Sequence, residues 1–270
     1  VWFFPVLFAG VLYSQRGKGA LGIRNCLLSM TGMWFFAYLA PVMSALVVLT
    51  VVCCGMLFAA VWRGAFGKRT KGKMALSASP LLVMPVLGVW LAFMMEHLRE
   101  RLAVLFHQQV DATGNGYMGS MMQNIMLGIP APEIEPIDTT LLFTWNDGIG
   151  DWILATAKLQ FGWAGFFILL GLEVLFLVWG FRIARRQTGL LARSVCMGVM
   201  LTFALQTALY VLQNFGIILL AAYGLPLLSY GGNYLFQAMF LLGVLLSAQR
   251  TGQLESGLAP CVSRVSEVGK

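Results

Sequence analysis

Apolar residues in this chain come in long unbroken runs, without the alternation or helical spacing of a half-buried element. Seven runs stand out, at residues 1–13, 26–39, 42–62, 76–95, 152–181, 190–212 and 234–248. Helices apolar on every side belong in a large core or a bilayer, and about 20 residues cross the hydrocarbon. Lipid offers the backbone no hydrogen-bond partner, so each span is predicted to be helical. Barrel strands alternate over ~10 residues, and these runs do not. The second run is short unless it opens near Leu21. The first ends at Tyr13, starts on Val1, and has no basic stretch before it, which argues against a signal peptide. It reads as the end of a span that begins upstream, so the chain is expected to be a piece of a longer one.

Composition sharpens the class. Of 270 residues, 59% are hydrophobic and 11% charged, against about 45–50% and 25% in soluble domains. Mean hydropathy is +0.80. A soluble globular enzyme, a disordered chain and a coiled coil are excluded; an all-α polytopic membrane protein fits. The net charge of +7 points to no nucleic acid, because the basic residues lie between apolar runs and form no patch of their own. Cys26, Cys53, Cys54 and Cys196 fall inside runs and Cys261 in the tail, without disulfide or zinc spacing. They read as small buried apolar residues.

The charges then give a direction. Arg16, Lys18 and Arg24 follow the first run, and Arg63, Lys68, Arg69, Lys71 and Lys73 the third. Arg182, Arg185, Arg186 and Arg193 follow the fifth, and Arg250, Arg264 and Lys270 the seventh. If the chain alternates, all four clusters share one face, the cytoplasmic one. The other face receives Arg99 and Arg101 and eight of the eleven acids, all within residues 96–151. One domain over 1–270 results: four spans in 1–95, an outer loop at 96–151, three spans in 152–248 and a cytoplasmic tail at 249–270. The loop keeps Leu, Ile, Met, Phe and Trp, so disorder is the weaker reading. A short interfacial helix is expected over 118–127. Pro130, Pro132 and Pro136 then impose an extended stretch.

Within this frame several motifs follow in order. Arg101-Leu-Ala-Val-Leu-Phe106 leads to Asp111-Ala-Thr-Gly-Asn-Gly116-Tyr117. Asp151-Trp-Ile-Leu-Ala155 is followed by Gly162-Trp-Ala-Gly165, then Asn214-Phe-Gly216 and Gly224-Leu-Pro-Leu-Leu-Ser229-Tyr230-Gly231-Gly232. The series resembles the SEDS family (shape, elongation, division and sporulation), of the RodA, FtsW and SpoVE type. That family reads R-I-x-x-F, D-P-x-G-x-G-Y, T-D-F-I-F-A with G-F-x-G, N-I-G, and G-L-P-L-P-F-I-S-Y-G-G-S-S. The resemblance covers essentially the whole chain. It implies a ten-helix bundle of which seven spans are present, the first three lying upstream.

There are departures. Val6 and Leu7 stand where the family's Q-P-S-E-L has Ser and Glu, and Val42 replaces the acid of Q-P-D-L-G. Leu159 and Gln160 replace the paired glutamates after T-D-F-I-F, and Asn233-Tyr234 replaces Ser-Ser. The glycine-rich run of the outer loop is Ile129-Pro-Ala-Pro-Glu-Ile-Glu-Pro136.

The resemblance implies a peptidoglycan glycosyltransferase that polymerises lipid II at the outer face of the bacterial cytoplasmic membrane, beside a class B penicillin-binding protein transpeptidase. The acceptor hydroxyl needs a base and the leaving pyrophosphate needs cationic help. As a residue alone Asp151 reads first as a helix N-cap; it matches the family's essential loop aspartate, and the resemblance makes it the candidate catalytic base. Arg101, Asp111, Gly116, Tyr117, Lys158, Ser229, Tyr230, Gly231 and Gly232 are candidate substrate contacts. On one continuous helix from Asp151, at about 100° per residue, Lys158 and Glu173 fall within roughly 40° of the Asp151 direction, forming a charged stripe. Lys158 would then meet a lipid pyrophosphate; alternatively it snorkels to the surface and Glu173 pairs with another buried polar group.

The remaining polar residues read more simply. Asp147 is a turn residue with metal or substrate contact as its alternative, and Asp111 also suits a turn. His97, His107, Glu133 and Glu135 read as solvated. Arg99 and Arg101 attract an anionic substrate or anchor to headgroups. Gln123 and Asn124 are weaker candidates for sugar hydroxyls. Residues 224–232 suit a re-entrant or outer-surface turn. No metal site is indicated and no cofactor is established; a divalent cation stays open. Two alternatives accompany the enzyme: a catalytically silent relative acting as a scaffold or regulator, and a lipid-linked precursor flippase or transporter.

Overall fold

The computed structural model describes residues 3–39, 43–67, 70–94, 117–128, 152–217 and 224–268. Eight helices and no strand occur among them. They are α1 (Phe4–Ser14), α2 (Gly19–Leu39), α3 (Met43–Trp62), α4 (Lys71–Met94), α5 (Tyr117–Leu127), α6 (Ile153–Arg186), α7 (Leu190–Asn214) and α8 (Gly232–Val268). Each apolar run contains a helix, and α5 is the short helix expected in the loop. Among the described residues α6 and α7 are long and apolar enough to cross a membrane, while Phe4–Ser14 and Val48–Trp62 are shorter apolar helices. Two ends differ most from the hydropathy reading. α2 opens at Gly19 and α8 runs on to Val268, because apolarity marks where a helix leaves lipid, not where its backbone stops.

The chain divides into two compact units. The first comprises Val1–Leu81, Leu177–Thr202 and Met239–Lys270. Pro5 lies in the first turn of α1, where its missing N–H costs nothing. α3 is buried around most of its circumference, Val48, Leu49, Val52, Cys53, Cys54, Met56, Leu57, Ala60 and Val61 among them, and Val51, Phe58 and Trp62 form its exposed edge. Thr50 is buried among them and accepts from Trp34 Nε1 at 2.9 Å. The four cysteines in the spans are buried and unpaired, as their positions suggest. The polar ends are cationic: Lys73 Nζ donates to Phe66 O at 3.0 Å, and Arg193 Nη2 to Arg185 O at 3.0 Å. These side chains satisfy carbonyls near the ends of α3 and α6.

The second unit comprises Leu82–Phe176 and Phe203–Ala238. Its core joins Met122 and Met126 of α5 with Trp152, Leu154 and Phe166, Tyr210 of α7 and Leu225. α5 packs one face into this core, with Met121, Met122, Ile125 and Met126 buried in protein and Leu127 exposed.

The largest departure is in α6. Gly162 has φ 67° and ψ −162°, a conformation that breaks the helix into residues 153–161 and 163–186. Residues 163–186 alone reach about 36 Å, enough for a ~30 Å hydrocarbon core. The first segment is thus free to serve the second unit's interior. Gly165 completes the break, because a Cβ there would meet Phe161 Cβ at 2.7 Å and Ala157 O at 2.9 Å. The Gly-Trp-Ala-Gly motif is therefore a bend with its clearance.

Candidate functional site

The first turn of α6 defines the site. The opening N–H groups of a helix have no partner within it, and the residue before this helix is Trp152, whose side chain cannot accept. α7 supplies the acceptors. Ile153 N–H donates to Tyr210 Oη at 2.8 Å and Ala155 N–H to Asn214 Oδ1 at 3.1 Å. Asn214 Nδ2 donates back to Tyr210 O at 3.0 Å, which holds the carboxamide. Tyr210 and Asn214 are both fully buried. Two opening amides that would call for a cap are thus satisfied from α7.

α7 carries more than these two. Gln206, Thr207, Tyr210, Gln213 and Asn214 are all buried and share one face by helical spacing. Thr207 Oγ1 donates to Glu173 Oε1 at 3.1 Å. Glu173 thus pairs with a buried polar group, one of the two alternatives read for it. The continuous charged stripe does not exist, because the break at Gly162 separates Lys158 from Glu173.

Lys158 neither snorkels away nor stands open. Its Nζ donates to Ile125 O and, at 2.9 Å, to Met126 O, and it sits 4.5 Å from the Trp163 ring centroid. Those carbonyls end α5, where a cation meets both free acceptors and the negative dipole end. Gln123 Nε2 is engaged within the protein, donating to Gly216 O at 3.0 Å.

The turn before α8 has a structural reason for its motif. Ser229 Oγ accepts from Leu225 N at 2.6 Å. A Cβ at Gly224 would meet Ser229 Cβ at 3.0 Å and Tyr234 Cγ at 3.1 Å. Leu227 adopts φ 63°, which non-glycine residues rarely do. Ser229 is buried, Gly231 and Gly232 lead into α8, and Tyr230 is 74% exposed. Of the side chains in residues 224–232, Tyr230 is the exposed one.

Of the other predicted site residues, Tyr117 begins α5. Arg101, Asp111, Gly116 and Asp151 lie outside the described residues, as do Arg99, His97, His107, Glu133, Glu135 and Asp147. Tyr210 has no signal in the sequence, because an aromatic residue in an apolar run gives no sign of a partner 57 residues earlier.

Residues 3–253 match the family model described as cell cycle protein, of the FtsW, RodA and SpoVE type. The chain is 26% identical over 214 residues to a protein of Halothiobacillus neapolitanus named "Probable peptidoglycan glycosyltransferase FtsW", covering 73% of this chain and 47% of that one. A protein of Trichlorobacter lovleyi with the same name is 24% identical over 209 residues, 77% of this chain and 52% of its own. "Peptidoglycan glycosyltransferase MrdB" of Escherichia coli K12 is 27% identical over 163 residues, 59% and 44% respectively. The chain spans about half the length of the curated relatives it matches. No solved structure matches it.

Proposed function

Because the chain belongs to the FtsW, RodA and SpoVE family of cell cycle proteins, we propose that the whole protein is a peptidoglycan glycosyltransferase. It polymerises lipid II at the outer face of the bacterial cytoplasmic membrane as a multi-pass protein of ten helices, seven of them in this chain. Its C-terminus is cytoplasmic and its partner is a class B transpeptidase. Asp151 is the base that takes the proton of the acceptor hydroxyl, and Arg101 draws the anionic donor. Lys158, committed to the end of α5, belongs to the framework.

The observation that carries the site is the satisfaction of the Ile153 and Ala155 amides by α7, which relieves a carboxylate at 151 of that capping work. The test is polymerisation of labelled lipid II by the purified full-length protein. Asn caps a helix about as well as Asp but cannot take up a proton. Asp151→Asn should keep the fold and lose at least about 100-fold in rate, and Asp147→Asn should lose much less. Near-normal polymer from Asp151→Asn removes the base assignment. Leu159 and Gln160, in place of paired glutamates, favour the silent-relative alternative; it predicts partner binding with no polymer even from the unaltered protein.

A further inference from the structure

We infer that Tyr210 and Asn214 are positioning residues for the proposed reaction: they fix the first turn of α6, the element that directly follows Asp151. The inference rests on the reading of Asp151 as the base. Tyr210 Oη and Asn214 Oδ1 accept from Ile153 and Ala155, while Thr156 N–H donates to Trp152 O at 2.9 Å. The turn is thereby held from α7 and closed on buried Trp152. Residue 151 is bonded directly to residue 152 in the sequence. A shift of the turn therefore carries the carboxylate's attachment point with it.

The same device recurs twice more in this unit. Lys158 of α6 holds the C-terminal carbonyls of α5, and Gln123 of α5 holds Gly216 O just beyond α7. The three helices are thus tied in a closed ring, α7 to α6, α6 to α5 and α5 to α7. A ring resists rotation of any one member, which is what a base requires, since displacement by 1 Å can cost about 100-fold in rate.

The test uses the purified full-length protein in detergent with labelled lipid II. Tyr210→Phe removes only the hydroxyl, and Thr207→Val, on the same helix, removes a buried hydrogen bond away from the turn. Tyr210→Phe should lower kcat about 10- to 100-fold with KM within about 2-fold, the pattern of a group acting only in the reaction step. Thr207→Val should shift the melting temperature comparably and keep kcat. Equal kcat for Tyr210→Phe and the unaltered protein, with Asp151→Asn inactive, overturns the inference and spares the base; an active Asp151→Asn overturns the base itself. Hydrogen exchange covers the case in which Tyr210→Phe does not fold: amides of residues 153–156 in the unaltered protein should be protected, and rapid exchange there overturns the inference.

Discussion

The two units handle polar groups in opposite ways. In the first, the charged side chains near helix ends are cations, and Arg16, Lys18, Arg24, Arg63, Lys71, Arg182, Arg185 and Arg186 are all exposed. In the second, the described charges are only Lys158 and Glu173, and its helix ends are tied mostly by neutral, buried groups. Exposed cations at helix ends orient a chain in a membrane and stay hydrated. Buried amides and hydroxyls fix geometry at short range. One unit is built to be oriented and the other to be held still.

The comparison breaks most visibly through topology. In a cysteine-free background, a single Lys71→Cys should resist an impermeant thiol reagent in whole cells, while Glu135→Cys should react. The reverse labelling would remove the orienting role of the first unit's cations and move the proposed site to the wrong face. Gly162 gives the next largest effect. Its φ and ψ lie where essentially only glycine is found, so Gly162→Ala should cost about 1–3 kcal/mol, read as a lower melting temperature in detergent. Gly171, with nothing within 4 Å of an added Cβ, is the control, and Gly171→Ala should be neutral or stabilising. Equal melting of the two variants would mean that α6 is continuous. The smallest effect is the coupling of Glu173 with Thr207. A cycle of Glu173→Leu, Thr207→Val and both should give about 0.6 kcal/mol and no more than about 1.7; zero coupling would show that burial alone holds these groups.

Much of the helical layout was legible because long apolar runs admit one backbone solution in lipid. α5 was legible from its apolar residues between glycine and proline. The Gly162 break was not, since a glycine inside an apolar run is compatible with a continuous helix, and the charged stripe drawn through it assumed one. The capping of α6 was hidden for another reason: its donors and acceptors lie 57 and 59 residues apart, and local spacing contains no record of that pairing. The motifs Gly162-Trp-Ala-Gly165 and Gly224 to Gly232 were visible as strings, while their physical content, clearance for Phe161 and Tyr234, required the packing.

The long reach of the α6 caps also sets an order of events during synthesis. Ala155 leaves the ribosome 59 residues ahead of the asparagine that satisfies its amide. At about 5–20 residues per second, the start of α6 waits roughly 3–12 seconds for its acceptors. Until then water or headgroups must serve those amides, so this end of α6 acquires its final place only after α7 has entered the membrane.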